Sequence, residues 1–174
     1  MSRLLRFLCL FAILAGAWLL LQRPATPPPP LAPLTEQIDR ILVEKAARRL
    51  TVYRGQEAIR SYDIALGFTP EGDKQVEGDG KTPEGHFTIN RRNPQSSYHL
   101  SLGINYPQPE DIAFARTLNQ SAGGDIFIHG QPNSLPKAIT LPGDWTAGCI
   151  AVSNAEIEEL WRITPNGTPV EIRP

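Results

Sequence analysis

An uninterrupted apolar run, Phe7 to Leu21, stands behind two arginines, Arg3 and Arg6, and a proline-rich stretch from Pro24 to Pro33 follows it. Neither segment suits the core of a globular domain. A helix apolar all round has no face to turn to water. Consecutive prolines favour extended polyproline II and cannot continue a helix. Basic residues ahead of an apolar run form the pattern of an export signal. The run of fifteen residues lies between a signal core and the ~20 residues of a full membrane span. Leu4 and Leu5 lengthen it if Arg6 snorkels to the headgroups. Ala15-Gly16-Ala17 has the small-x-small form of a cleavage site, but Trp18 and three leucines would then begin the product. The expectation is an uncleaved anchor over residues 1–23 with the N-terminus inside; cleavage and secretion is the alternative. The stretch 24–34 is then a spacer of roughly 30 Å, and the folded domain runs over 35–174.

That remainder has the size of one domain. The chain is 41% hydrophobic and 20% charged, so it lacks the polar, highly charged composition of disorder. Formal net charge is −1; beyond Arg23, 14 basic residues face 18 acidic ones, leaving −4. A nucleic-acid binder needs a basic excess, so no nucleic-acid partner is expected, and nothing in this balance attracts acidic lipid. Two cysteines do not make a disulfide scaffold. Cys9 lies in the apolar run, and Cys149 is the single cysteine of the expected domain. A lone thiol in an oxidising compartment is exposed to oxidation. It is either a small buried apolar residue or a reactive group.

Short alternating segments predict strands at Ile38–Val43, Leu50–Tyr53, Ala58–Leu66, Gly85–Asn90, His99–Ile104, Asp125–His129 and Thr168–Ile172, with a turn at Arg54–Glu57. Phe68–Glu84, rich in Gly, Pro, Asp and Lys, reads as a long loop. Asp111–Leu118 reads as a short helix and Cys149–Val152 as a short apolar piece. Ser153 with Glu156 forms a capping box, and Ile157, Leu160 and Trp161 give the helix behind it one apolar face. The sum is a mainly β domain with small helices, an α+β class.

Gly80-Lys81-Thr82 has the tail of a phosphate loop, but Gln75 stands where the upstream glycine belongs and Pro83 follows at once. His86, His99, His129 and Cys149 lack the close pairing of zinc motifs, so neither metal nor cofactor is expected. Glu158 and Glu159 read as a solvated helix face. The sharper constellation is Ile126-Phe127-Ile128-His129-Gly130 and, beyond Trp145, Thr146-Ala147-Gly148-Cys149. His129 ends a strand. An imidazole there can take the proton of a thiol, which attacks only as thiolate. Gly148 permits close approach and unusual dihedrals. Backbone amides of Gly148 and Cys149 can then face an oxyanion.

His-Gly followed at a distance by Thr-x-Gly-Cys resembles the signature of the L,D-transpeptidase (YkuD-type) catalytic domain. Gly80-Lys81-Thr82-Pro83-Glu84-Gly85-His86-Phe87 resembles that family's Thr-Pro-x-Gly-x-Phe turn and strand. Tyr98-His99-Leu100-Ser101 with Ile104-Asn105-Tyr106-Pro107 resembles its YafK-like branch. The resemblance covers about residues 37–173. It implies a β-sandwich-like domain with Cys149 as nucleophile, His129 as base, and Thr146, Ala147 and Gly148 in the oxyanion loop. Gly130, His99, Tyr106 and Trp145 are candidates for lining the substrate site. It further implies peptidoglycan stem peptides as substrate, a thioester acyl-enzyme, cross-link formation, and a periplasmic domain in the bacterial envelope held to the inner membrane by residues 4–21. Two positions depart from the pattern. Ala147 stands where many members have His, and Ala151 where many have Arg or Asn. They keep open water as acceptor, giving a carboxypeptidase or amidase. The alternative outside enzymes is a catalytically silent wall-binding module.

Overall fold

Val52 and Tyr53 are followed by Gly55-Gln56, and Gly55 takes φ +56°, so the chain reverses there into a hairpin. The computed structural model describes residues 32–174; the expected anchor, its cleavage site, Cys9 and nearly all of the proline spacer lie outside the described residues. Among the described residues no helix is long and apolar enough to cross a membrane. Residues from Pro33 to Pro174 form one unit.

Eight strands and two helices follow in order: β1 (Arg40–Glu44), β2 (Arg49–Arg54), β3 (Glu57–Asp63), β4 (Gly85–Asn93), β5 (Ser101–Ile104), α1 (Pro109–Thr117), β6 (Phe127–His129), β7 (Ile150–Ala151), α2 (Asn154–Ile163) and β8 (Pro169–Arg173). They form a sheet in the order β3-β2-β1-β8-β4-β5-β6-β7. β1 pairs with β8 and β6 with β7 in parallel; the other neighbours are antiparallel. β4 serves two partners. Its first half pairs with β8 and its second half, beyond a register shift at Ile89–Arg91, pairs with β5. Such an irregularity bends a strand, and here the sheet curls. Beyond β3, Ala65 exchanges both backbone hydrogen bonds with Ala151, at 2.9 and 2.8 Å, so the first hairpin reaches round to β7.

The inward residues of this curl, among them Ile41, Leu50, Ile89, Leu102, Ile128 and Ile172, are buried together with Ile157, Leu160 and Ile163 of α2. α2 starts as its sequence predicts. The Ser153 hydroxyl accepts the Glu156 N–H and the Glu156 carboxylate accepts the Ser153 N–H. The long loop over 68–84 contains no strand or helix. It is held by the buried Lys45 ammonium, which donates to the carbonyls of Gly72 and Thr82 and to the Glu84 carboxylate.

Three expectations need correction. Glu159 is not a solvated residue but is buried, where its carboxylate accepts from the Leu34 N–H, Arg60 and Tyr62. β3 stops at Asp63 rather than Leu66, because Leu66 gives its N–H to the Asp144 carboxylate. β5 and β6 start two residues late, because His99 and Asp125 adopt φ of +61° and +56°, which no strand accommodates.

Candidate active site

Cys149 stands immediately before β7 and His129 is the last residue of β6, whose register pairs it with Ala151. Parallel pairing sets Ile128 beside Ile150 and His129 beside Ala151, so Cys149, one residue before β7, lies on the neighbouring strand two positions short of His129, and the two share a cavity of about 370 Å³. Asp125, Phe127, Tyr98 and Ser96 line it with them.

His129 is buried, and its Nδ1 lies 2.7 Å from the Gly130 carbonyl oxygen. A carbonyl only accepts, which assigns the ring proton to Nδ1 and leaves a lone pair on Nε2. The Tyr98 ring lies at 4.5 Å, tilted, and Trp145 meets the imidazole edge-on at 5.7 Å. Burial pushes the imidazole below its ordinary pKa, against the contrary pull of the Gly130 hydrogen bond. The ring is therefore neutral at neutral pH.

The Cys149 thiol donates to the Asp125 carbonyl at 3.4 Å. Burial raises its pKa; a backbone hydrogen bond from Phe127 opposes this, the Asp125 charge adds to it, and Lys74 and Arg91 oppose it. The resting pair is thus thiol and imidazole rather than thiolate and imidazolium.

Gly148 has φ +135°, and a Cβ there would lie 2.6 Å from the Lys81 carbonyl oxygen. Glycine is required on both counts. The Thr146 hydroxyl accepts the Gly148 N–H at 3.1 Å and donates to the Cys149 carbonyl at 2.7 Å. The Gly148 amide is thus engaged by Thr146 in this structure. Ala147 is exposed on the same turn.

The remaining candidates are placed as follows. Gly130 packs where a Cβ would meet Asn154 Oδ1 at 2.6 Å, and its N–H reaches the Tyr98 and Leu100 carbonyls. Trp145 abuts His129 and Tyr98, with its Nε1 buried and unpartnered among the described residues. His99 Nε2 meets Glu158 of α2 at 2.7 Å and is not among the residues lining the cavity. Tyr106 is a core residue, edge-on to Phe87, with its hydroxyl donating to the Ala122 carbonyl. Among the described residues no three His, Cys, Asp or Glu side chains converge on a metal site.

Sequence reasoning missed Asp144, Arg48 and Arg91. Asp144 anchors the loop just before Trp145, with Arg48 bound to its carboxylate. Arg91 pairs with Asp125, one of the residues that line the cavity. Their partners lie 78, 96 and 34 residues away in the chain, so no local signal marks them.

The family model described as the L,D-transpeptidase catalytic domain, YkuD, matches residues 38–172. YkuD of Bacillus licheniformis is 31% identical over 142 residues, covering 78% of this chain and 66% of that protein. YafK of Escherichia coli is 28% identical over 127 residues, covering 71% of this chain and 45% of that protein. Among solved structures, the helical cell shape determining protein Pgp2 from Campylobacter jejuni matches with a TM-score of 0.62 at 28% identity, covering 79% of this chain and 48% of that one. The chain thus spans only 45–66% of the lengths of these three relatives.

Proposed function

This chain belongs to the L,D-transpeptidase catalytic domain (YkuD) family, and from that membership we propose an envelope enzyme that acts on peptidoglycan stem peptides through Cys149. The observation that carries the reading is the shared cavity: Cys149 opens on it beside an imidazole whose Nδ1 is tied to the Gly130 carbonyl.

His129 Nε2 takes the thiol proton as sulfur attacks the carbonyl carbon of the residue preceding a terminal D-amino acid. The C–S bond forms and the carbonyl oxygen gains charge. The Cys149 amide is the loop donor best placed to meet that charge, since the Gly148 amide is held by Thr146. Collapse breaks the C–N bond, and the imidazolium returns its proton to the departing amine. An amine of a second stem then attacks the thioester, gives its proton to His129, and the thiol is restored. Neutral starting forms suit this general-base route, because the proton moves during attack rather than before it.

Water as acceptor is the second reading, favoured by Ala151, a small buried residue where many relatives carry Arg or Asn. Both readings place the enzyme on the periplasmic side, with residues 4–21 as anchor. Fractionation and N-terminal sequencing check the anchor; a soluble product beginning at Trp18 would contradict it. Purified chain mixed with muropeptides and followed by mass analysis tests the activity. Wild type releases a D-amino acid and Cys149→Ala does not; full conversion by the alanine form would end the assignment.

A further inference from the structure

Gly103 lies in the middle of the buried strand β5, between Arg91 of β4 and Phe127 of β6 in register. Its φ is not in the left-handed region, so the backbone does not call for glycine. Space does. A Cβ at 103 would lie 2.5 Å from Arg91 Cγ, 2.6 Å from Arg91 Nε and 3.0 Å from the Phe127 ring. The missing side chain is the passage through which Arg91 crosses a whole strand. Beyond it the guanidinium stacks on Phe127, 4.5 Å from the ring centre, and Nη2 meets Asp125 at 2.8 Å. Phe127 and Asp125 both line the cavity that holds Cys149 and His129.

Lys74 and Arg91 are cations that oppose the upward push of burial on the Cys149 thiol pKa. Lys74 is buried, and its ammonium is committed to the Val76 carbonyl and to Asp79. Arg91 is 43% exposed, and Asp125, its hydrogen-bonded partner among the described residues, is 84% exposed. An ion pair so open to water holds its members weakly. A guanidinium has five donors in a rigid fork, and among the described residues Asp125 takes only one of the two Nη2 protons. The guanidinium against these two lining residues is therefore cationic, oriented by stacking and, among the described residues, left with unused donors, which is the chemistry that recognises a carboxylate.

The geometry points to Arg91 as the residue that receives the free carboxylate of the amino acid leaving the donor peptide. This rests on the reading of Cys149 as an acylating nucleophile at a peptide C-terminus. In such a peptide the terminal carboxylate sits one residue beyond the bond attacked, so a cation beside the nucleophile reads chain end against chain middle.

The test uses the full chain in detergent and two synthetic stem peptides, one ending in a D-alanine carboxylate and the other in its carboxamide. The wild-type chain is expected to prefer the acid by about tenfold to a hundredfold in kcat/KM, the range of a charged hydrogen bond. The preference should lie mainly in KM and shrink at high salt. Arg91→Gln should bring the two substrates within about twofold, and Arg91→Lys should retain part of the preference. Gly103→Ala should act like Arg91→Gln with the charge still present, because the added methyl evicts the Arg91 stem; it also decides the matter if Arg91→Gln fails to fold. Equal use of both peptides by wild type, or a preference surviving in Arg91→Gln, overturns the role of Arg91 while leaving the nucleophile in place. Cleavage of neither peptide by wild type would instead overturn the reading of Cys149, and this role with it.

Discussion

The Asp144 carboxylate accepts the Leu66 N–H with one oxygen and meets the Arg48 guanidinium with the other, both at 2.8 Å. One side chain thus ties the segment leaving β3, the turn between β1 and β2, and the loop that delivers Trp145 to His129. Its removal leaves the Leu66 amide without a partner and frees the loop. Asp144→Ala is expected to cost about 1–3 kcal/mol of stability and to lower turnover beyond what the unfolded fraction explains. Asp144→Asn keeps an acceptor for Leu66 and should fall between. Thermal unfolding and initial rates on one preparation check this; a destabilised Asp144→Ala with unchanged kcat would show that the loop needs no such anchor.

Gly148 faces the Lys81 carbonyl at a separation that no side chain tolerates. Gly148→Ala adds a Cβ 2.6 Å from that backbone oxygen at a φ of +135°. Strain of this kind costs about 1–3 kcal/mol, and relief must come from moving the Cys149 turn. The variant should fold with a lowered thermal midpoint and acylate at least tenfold more slowly. Wild-type rates in Gly148→Ala would show that the turn geometry is not needed for reaction.

Much of this arrangement was readable in the chain and some was not, for definite reasons. The Ser153–Glu156 capping box and the Gly55 turn involve neighbours, so their sequence signals suffice. Strand positions followed from alternation, but their ends did not, since Leu66 and Asp125 answer to partners far along the chain. Cys149 and His129 were legible as residue types in a pattern. That they open on one cavity depends on the parallel pairing of β6 with β7, which is only two residues long and leaves little periodicity to read. Glu159 looked solvated because its partners Leu34, Arg60 and Tyr62 are 97 to 125 residues distant. Gly103 falls inside the strand expected over His99–Ile104, but nothing local marks that the Arg91 stem fills the space above it.

The buried Glu159 should make the fold sensitive to acid. Burial raises its pKa, but the Leu34 N–H, Tyr62 and Arg60 outweigh this and hold it below the ordinary 4.5. A carboxylate depressed on folding stabilises above its unfolded pKa, and that contribution is lost as pH falls through the folded value. Stability should hold from neutrality to about pH 4.5 and drop below it. Glu159→Ala, which removes the acceptor of the Leu34 N–H and of the Tyr62 hydroxyl, should cost about 1–3 kcal/mol and lose part of the acid sensitivity. Parallel stability–pH curves for the two forms would argue against the assignment.

The pair also sets a pH profile. His129 must be neutral to accept a proton, and burial lowers its pKa. The acid limb of kcat/KM should therefore fall below pH ~6.5, the ordinary histidine value. His129→Ala should slow acylation by roughly a hundredfold or more at neutral pH. Its rate should then rise only as the thiol ionises, above the usual cysteine range because burial raises that pKa. His99→Ala, which removes the contact with Glu158, should alter acylation far less. A larger loss in His99→Ala than in His129→Ala would mean that the wrong histidine has been assigned as base.

The central claim is a covalent one, and intact-mass analysis of the acid-quenched enzyme addresses it most directly. Wild type incubated with a donor peptide should gain the mass of that peptide less the mass of the free D-amino acid released, with the adduct on Cys149 and removable by hydroxylamine as a thioester is. Cys149→Ala should show no adduct and no released D-amino acid. Release of the D-amino acid by Cys149→Ala, or an adduct on any other residue, would contradict the account.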